Sequence, residues 1–193
     1  MRLFVAVYPP VGAVSHLGAQ IARLRVGAAA AAGVRVRLAD PADLHITLAF
    51  LGDVEAARLV DVVSALGLAA DRFRDARDAP PRLLLGGGGV FGDGRRTVLW
   101  VDARGDVEAL HELAQLVRER LRVAGLPYDE KPFRPHLTVA RPGDRVELAA
   151  VEADRVTLDD YAGPEWPATG LLLMRSHLGS ARPRYERLAA WPL

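Results

Sequence analysis

The sequence predicts an α+β fold with antiparallel pairing, built as two similar lobes that share a cleft. Strand-like and helix-like segments interleave along the chain, and strand-like neighbours recur at hairpin spacing. One stretch of the first half also returns in the second. His45, Thr47, Ala49, Gly52 and Asp53 line up without a gap on His136, Thr138, Ala140, Gly143 and Asp144, with apolar residues after each His and Thr. The copies stand close to half the chain length apart, so each lobe is expected to give one strand to the cleft. All of residues 1–193 form a single bilobal domain on this reading.

Taken in order, residues 3–8 read as a first strand, closed by Pro9 and Pro10. Val14, Leu17, Ile21 and Leu24 follow at helical spacing, and the alanine-rich run after them extends that helix to Gly33. Residues 44–51 form a strand ending at Gly52. Asp53 is placed to cap a helix with Leu59, Val62, Val63 and Leu66 on its apolar face. Residues 82–85 and 97–103 are strands around a loop at 86–94, which contains four consecutive glycines. Asp106 caps a helix whose stripe is Val107, Leu110, Leu113, Val117 and Leu121, ended by Gly125. Strands are then expected at 136–140, 155–158, 170–176 and 185–189.

Composition narrows the function. Half of the 193 residues are hydrophobic and a quarter charged, as in an ordinary globular protein. The formal charge of +1 gives no global field toward nucleic acid, so contact with a polyanion falls to local arginines. The absence of cysteine removes disulfides, thiolate catalysis and cysteine-based zinc sites. The start lacks the apolar length and cleavage site of a signal peptide, and no stretch approaches the ~20 apolar residues of a membrane span. A cytoplasmic monomer with no membrane contact and no obligate protein partner is expected.

The chemistry sits in the repeat. On a strand, residues i and i+2 share a face, so His45 projects with Thr47 and His136 with Thr138. Ile46, Leu48, Leu137 and Val139 point to the core and hold the register. Two facing histidines suit in-line hydrolysis of a cyclic phosphodiester, which needs a base for water and an acid for the departing ribose oxygen. Imidazole, with a pKa of ~6.5, serves in either form near neutrality. The threonine hydroxyls can donate to non-bridging phosphate oxygens, and the scheme calls for no metal or cofactor. A single His-x-Thr on a strand is commonly structural; two copies in matched contexts favour catalysis. A metal site is disfavoured, because neither copy has a second histidine or a carboxylate at ligand spacing on its face.

At these residues the chain resembles the two-histidine (2H) phosphoesterase superfamily, and within it the bacterial RNA 2′,3′-cyclic phosphodiesterases, also called 2′-5′ RNA ligases. The resemblance runs nearly end to end. It takes in residues 2–7, Leu44 to Leu48 with Phe50, Leu51 and Gly52, then Val98 to Trp100 and Phe133 to Arg141. It closes with Ser176, Leu178, Tyr185, Leu188, Trp191, Pro192 and Leu193. It implies two antiparallel sheets with outer helices around a central cleft. It also implies RNA ends carrying a 2′,3′-cyclic phosphate as substrate, a 2′-phosphate as product, and reversible 2′-5′ ligation without ATP. By resemblance His45 is the proton donor and His136 the proton acceptor, roles that the sequence by itself does not distinguish. Two positions depart from the family, Gly92 after Phe91 and Arg182 before the C-terminal tyrosine.

Other residues are weaker candidates. Arg134 shares the His136 face and is a candidate for the RNA backbone. Arg141 falls by strict alternation on the Leu137 face, and reaches phosphate only where the strand ends or bulges. Phe91 and Tyr185 are candidates for stacking on a base, with core packing favoured for Tyr185. His16 and His111 are read as structural or exposed helix residues, and His177 as bordering the cleft. The glycines at 86–89 lack the lysine and hydroxyl of a phosphate loop and read as a flexible connection. Competing functions are a 2H enzyme for 2′-5′ oligonucleotides or small cyclic nucleotides, and an RNA-end binding module without turnover.

Overall fold

Alternating apolar strands and one-sided helices assemble into a single hydrogen-bonded sheet in the computed structural model, which describes residues 1–177 and 184–193. The elements are β1 (Arg2–Val7), α1 (Val11–Arg23), α2 (Arg25–Ala31), β2 (Arg37–Leu38), β3 (Ile46–Asp53) and α3 (Leu59–Asp75). They continue as β4 (Arg82–Phe91), β5 (Val98–Gly105), α4 (Val107–Val123), β6 (His136–Arg141) and α5 (Leu148–Asp159). The chain closes with β7 (Trp166–Pro167), β8 (Gly170–His177) and β9 (Arg184–Pro192).

The strand order is β7-β4-β5-β6-β3-β1-β8-β9, with β2 beside β6, and each named pair is antiparallel. This is the bilobal α+β arrangement expected, four strands to a lobe along the main path. The lobes meet at β3 and β6, whose registered partners are Ile46 and Leu137. The helices cross between lobes. Helix α1 follows β1 but touches β4, while α4 follows β5 but packs on β3 beside α3. One continuous core results, from Leu3 and Ile46 through Leu99 and Leu137 to the apolar faces of the helices. The opposite face of the first lobe carries a smaller cluster of Phe4, Ala6 and Met174, flanked by Tyr8, Leu172 and Tyr185.

Several local expectations are corrected. The first helix does not run on to Gly33. It breaks at Leu24, whose ψ of 158° is extended, and α2 starts afresh. The buried Asp154 carboxylate accepts hydrogen bonds from the backbone N–H groups of Arg25 (2.8 Å) and Val26 (2.9 Å), satisfying donors that the new helix would leave open. Asp154 belongs to α5, where a strand was expected at 155–158. Val151, Asp154 and Leu158 are the buried positions there, and steps of three and four make them a helical face. Asp53 caps no helix: it ends β3 opposite Arg2, and α3 begins at Leu59. Asp106 does stand at the N-cap of α4, but its carboxylate accepts from the Arg82 N–H at 2.8 Å.

The glycine run is a strand rather than a loop. A Cβ on Gly89 would lie 1.7 Å from the Trp100 ring, and one on Gly88 would lie 2.2 Å from the Arg155 carbonyl oxygen. Bare backbone is needed on β4 so that the indole can lie across it and α5 can close over it. Among the described residues, no helix is long and apolar enough to cross a membrane. Leu178 and Arg182 lie outside the described residues.

Asp154→Ala should cost about 2–4 kcal/mol, since two backbone donors lose their acceptor. Urea unfolding measures this, and an alanine variant as stable as the parent would show that the cap holds nothing.

Candidate active site

Strand alternation aims the repeated pairs. Ile46, Leu48, Leu137 and Val139 are sealed in the core, leaving His45, Thr47, His136 and Thr138 on the side away from the helices. Because β3 and β6 run antiparallel with Ile46 opposite Leu137, His45 is set toward Thr138 and Thr47 toward His136. All four line one cavity of about 800 Å³. Arg134, Arg141, Phe91 and Tyr185, each singled out in the sequence, line it as well.

The two rings are held alike. Nδ1 of His45 lies 2.6 Å from the Asp43 carbonyl oxygen, and Nδ1 of His136 lies 2.7 Å from that of Arg134, two residues back in each case. A carbonyl only accepts, so each Nδ1 carries a proton and donates. Each neutral ring therefore keeps its lone pair on Nε2, available to a ligand.

The surroundings differ. Phe4 stacks on His45 at 4.8 Å between ring centres and Tyr8 at 5.3 Å, while Tyr185 meets it edge-on at 5.4 Å. Burial among these rings disfavours the imidazolium and lowers the His45 pKa to about 4; the Asp43 bond opposes the shift and His136 adds to it. His136 meets Phe91 edge-on at 5.0 Å and Trp100 at 5.7 Å. Burial lowers its pKa too, helped by the charges of Arg134 and Arg141 and opposed by Asp102 and the Arg134 carbonyl. Both rings are thus poised to be neutral in the empty cleft.

Arg134 is less available than a solvated arginine. Its guanidinium lies 4.1 Å from the Trp100 ring centre and 5.8 Å from that of Phe91, with Nε 3.7 Å from the Asp102 carboxylate. Burial pushes the Asp102 carboxyl above its usual range, although Arg134 pulls the other way.

Arg141 escapes strict alternation through a bulge. Trp100 pairs with Thr138 and Leu99 with Ala140, so Val139 is skipped, and Val139 and Ala140 are both buried. The parity resets, and Arg141 turns to the cavity. The other copy does the same: Ala6 pairs with Thr47 and Val5 with Ala49, skipping Leu48, which brings Phe50 to the cavity wall. Arg37 also lines the cavity, directly opposite Arg141 in the β2–β6 register.

Sequence reasoning missed Phe4, Tyr8, Phe50, Trp100 and Asp102 as site residues. Phe4 sits in a strand buried on both faces, where periodicity carries no signal. Phe50 was discoverable from the repeat, since it holds the place of Arg141. Of the remaining histidines, His16 approaches the Tyr161 hydroxyl at 2.9 Å, His111 meets Phe133 edge-on, and His177 lies 2.8 Å from Glu186. Among the described residues, no three His, Asp or Glu side chains are gathered as a metal cluster.

Comparison with known proteins agrees with this geometry. Residues 13–179 match the family model of the 2′-5′ RNA ligase superfamily. The chain is similar to the RNA 2′,3′-cyclic phosphodiesterase of Geobacillus stearothermophilus, 33% identical over 151 residues, 78% of this chain and 46% of that protein. It thus matches less than half of that relative's length. The enzyme of the same name from Thermus thermophilus is 33% identical over 79% of this chain and 73% of its own. Among solved structures, a protein of Thermus thermophilus superposes with a TM-score of 0.68 at 29% identity, over 100% of this chain and 98% of the other. E. coli LigT complexed with ATP gives 0.70 at 26% identity, over 100% and 97%.

In an NMR pH titration of the free protein, His45 should titrate near pH 4 and His136 below 6.5. A His45 midpoint at or above 6.5 would contradict the burial described.

Proposed function

The chain belongs to the 2′-5′ RNA ligase superfamily, and from that premise we propose that it hydrolyses the 2′,3′-cyclic phosphate ends of RNA to 2′-phosphomonoesters. The observation that carries the reading is the pair of imidazoles, each with Nδ1 committed to a carbonyl and Nε2 left for the cleft, above one shared cavity. The relatives named for this activity support the substrate class.

In this scheme the cyclic phosphate lies between the rings. His136 Nε2 takes a proton from water as its oxygen attacks phosphorus. The bond from phosphorus to O3′ breaks, and His45 Nε2 gives its proton to that oxygen. Thr47 and Thr138 donate to the non-bridging oxygens, where charge accumulates. Arg141 supplies a fixed cation; facing Arg37, it forms a like-charged pair that an anion relieves. Phe91 and Arg134 take the substrate's nucleoside side, Arg134 from its seat on Trp100. The residues call for no metal or cofactor. The whole chain works as one bilobal domain, a cytoplasmic monomer whose partner is an RNA end. The same site run with a 5′-hydroxyl as nucleophile makes a 2′-5′ linkage.

Protonation closes the cycle. Both rings are neutral in the empty cleft, and the phosphate anion raises the pKa of the rings it touches, restoring the proton that His45 must donate.

The test is an oligonucleotide ending in a 2′,3′-cyclic phosphate, incubated with the protein and EDTA. A 2′-monophosphate product is expected. A substrate left intact but bound would instead support a binding module, and turnover confined to 2′-5′ oligonucleotides or small cyclic nucleotides would move the substrate class. His45→Ala and His136→Ala should each lose about 10²–10⁴-fold in rate; near-parental activity in either would remove it from the acid–base pair. The kcat/KM profile should be bell-shaped with its acid limb below pH 6.5, and the kcat profile should lie at higher pH. A flat profile between about pH 5 and 9, or a kcat profile at lower pH, contradicts the scheme.

A further inference from the structure

The two halves of the cleft present the same motif and end in opposite chemistry. Reading along it from the antiparallel register, Arg141 comes first, then Thr138 with His45, then His136 with Thr47, and then Phe50. Phe50 and Arg141 occupy the same place in the repeat, and the matching bulges turn both to the cavity. The end beside His45 is therefore cationic and the end beside His136 aromatic.

The Phe50 ring is 48% exposed, while its backbone carbonyl accepts a 2.8 Å hydrogen bond from the Asp129 N–H. That bond brings the segment before β6 alongside. Lys131, paired with Asp129 at 3.1 Å, lines the cavity there. So does Arg118 of α4, whose charge acts on Asp129 and whose Nε has no hydrogen-bond partner among the described residues. An open aromatic face with two cations beside it has the chemistry of a nucleotide site: the ring stacks on a base and the cations take a phosphate. It lies at the ring read above as the base, the side from which the nucleophile arrives.

We propose that Phe50, with Arg118 and Lys131, forms an acceptor subsite for a nucleotide carrying a free 5′-hydroxyl, which replaces water as the nucleophile. This rests on the assignment of His136 as base for a 2′,3′-cyclic end. The 5′-hydroxyl gives its proton to His136 Nε2 while its oxygen bonds to phosphorus. The bond from phosphorus to O3′ breaks, O3′ takes the His45 proton, and a 2′-5′ phosphodiester with a free 3′-hydroxyl remains. No other reactant is needed.

The experiment pairs an oligonucleotide ending in 2′,3′-cyclic phosphate with excess 5′-hydroxyl oligonucleotide, and measures joined against hydrolysed product. The parent protein should join the two saturably. Phe50→Ala and Phe50→Leu should lower the ratio of joined to hydrolysed product about fivefold or more, the loss expected for one base stack, and Phe50→Tyr should keep most of it. Hydrolysis in the same reactions reports that each variant is folded. A ratio unchanged in both non-aromatic variants overturns the subsite, as does a parent protein that hydrolyses but never joins. A loss confined to hydrolysis of a cyclic-ended dinucleotide relative to a cyclic mononucleotide also overturns it, by placing Phe50 on the strand that bears the cyclic end. A parent protein that does not hydrolyse at all overturns the underlying function and the subsite with it.

Discussion

Ile46 and Leu137 are both fully buried and face each other where β3 meets β6, and this contact joins two four-stranded halves into one sheet. Everything at the cleft depends on it. Shift either strand by one residue, and its histidine and threonine turn into the core while apolar side chains turn to solvent. The register is therefore held by the cost of exposing Ile46, Leu48, Leu137 and Val139. Catalytic geometry and core packing are set by the same alternation. The crossed helices, α1 on the second lobe and α4 on the first, brace this junction from behind.

From that shared frame the two halves diverge. Both rings are tethered through Nδ1 to the carbonyl two residues back, so both present Nε2. His45 is then enclosed by Phe4, Tyr8 and Tyr185, whereas His136 lies near Trp100, Arg134 and Asp102. Desolvation acts more strongly on His45. Acid and base need different environments, and a duplicated motif reaches that difference through its neighbours rather than its own residues. The matching bulges extend the pattern by adding a cation to one end and an aromatic ring to the other.

Much of this was legible in the sequence, because the repeat and the period-two pattern both report on β3 and β6. The two pairs, their common face and the antiparallel bilobal α+β fold follow from His45, Thr47, His136, Thr138 and their apolar neighbours. The rest was hidden for physical reasons. A bulge leaves no mark in composition, so Arg141 was assigned by strict parity and Phe50 passed over. The glycines at 86–89 read as a flexible loop, yet they leave room for Trp100 and Arg155 across a strand. Val156 and Thr157 favour strands, but the buried spacing of Val151, Asp154 and Leu158 makes α5. The cap that starts α2 comes from Asp154, far along the chain, so no local signal marks it.

The central claim is that both imidazoles act on one phosphorus atom from opposite sides. A crystal structure of the protein with a nucleoside 2′,3′-cyclic vanadate tests it most directly, because vanadate adopts the trigonal bipyramid of in-line displacement. One apical oxygen should lie within about 3 Å of His45 Nε2 and the other within about 3 Å of His136 Nε2. A vanadate bound in the cleft with only one of the two rings in reach would contradict the claim.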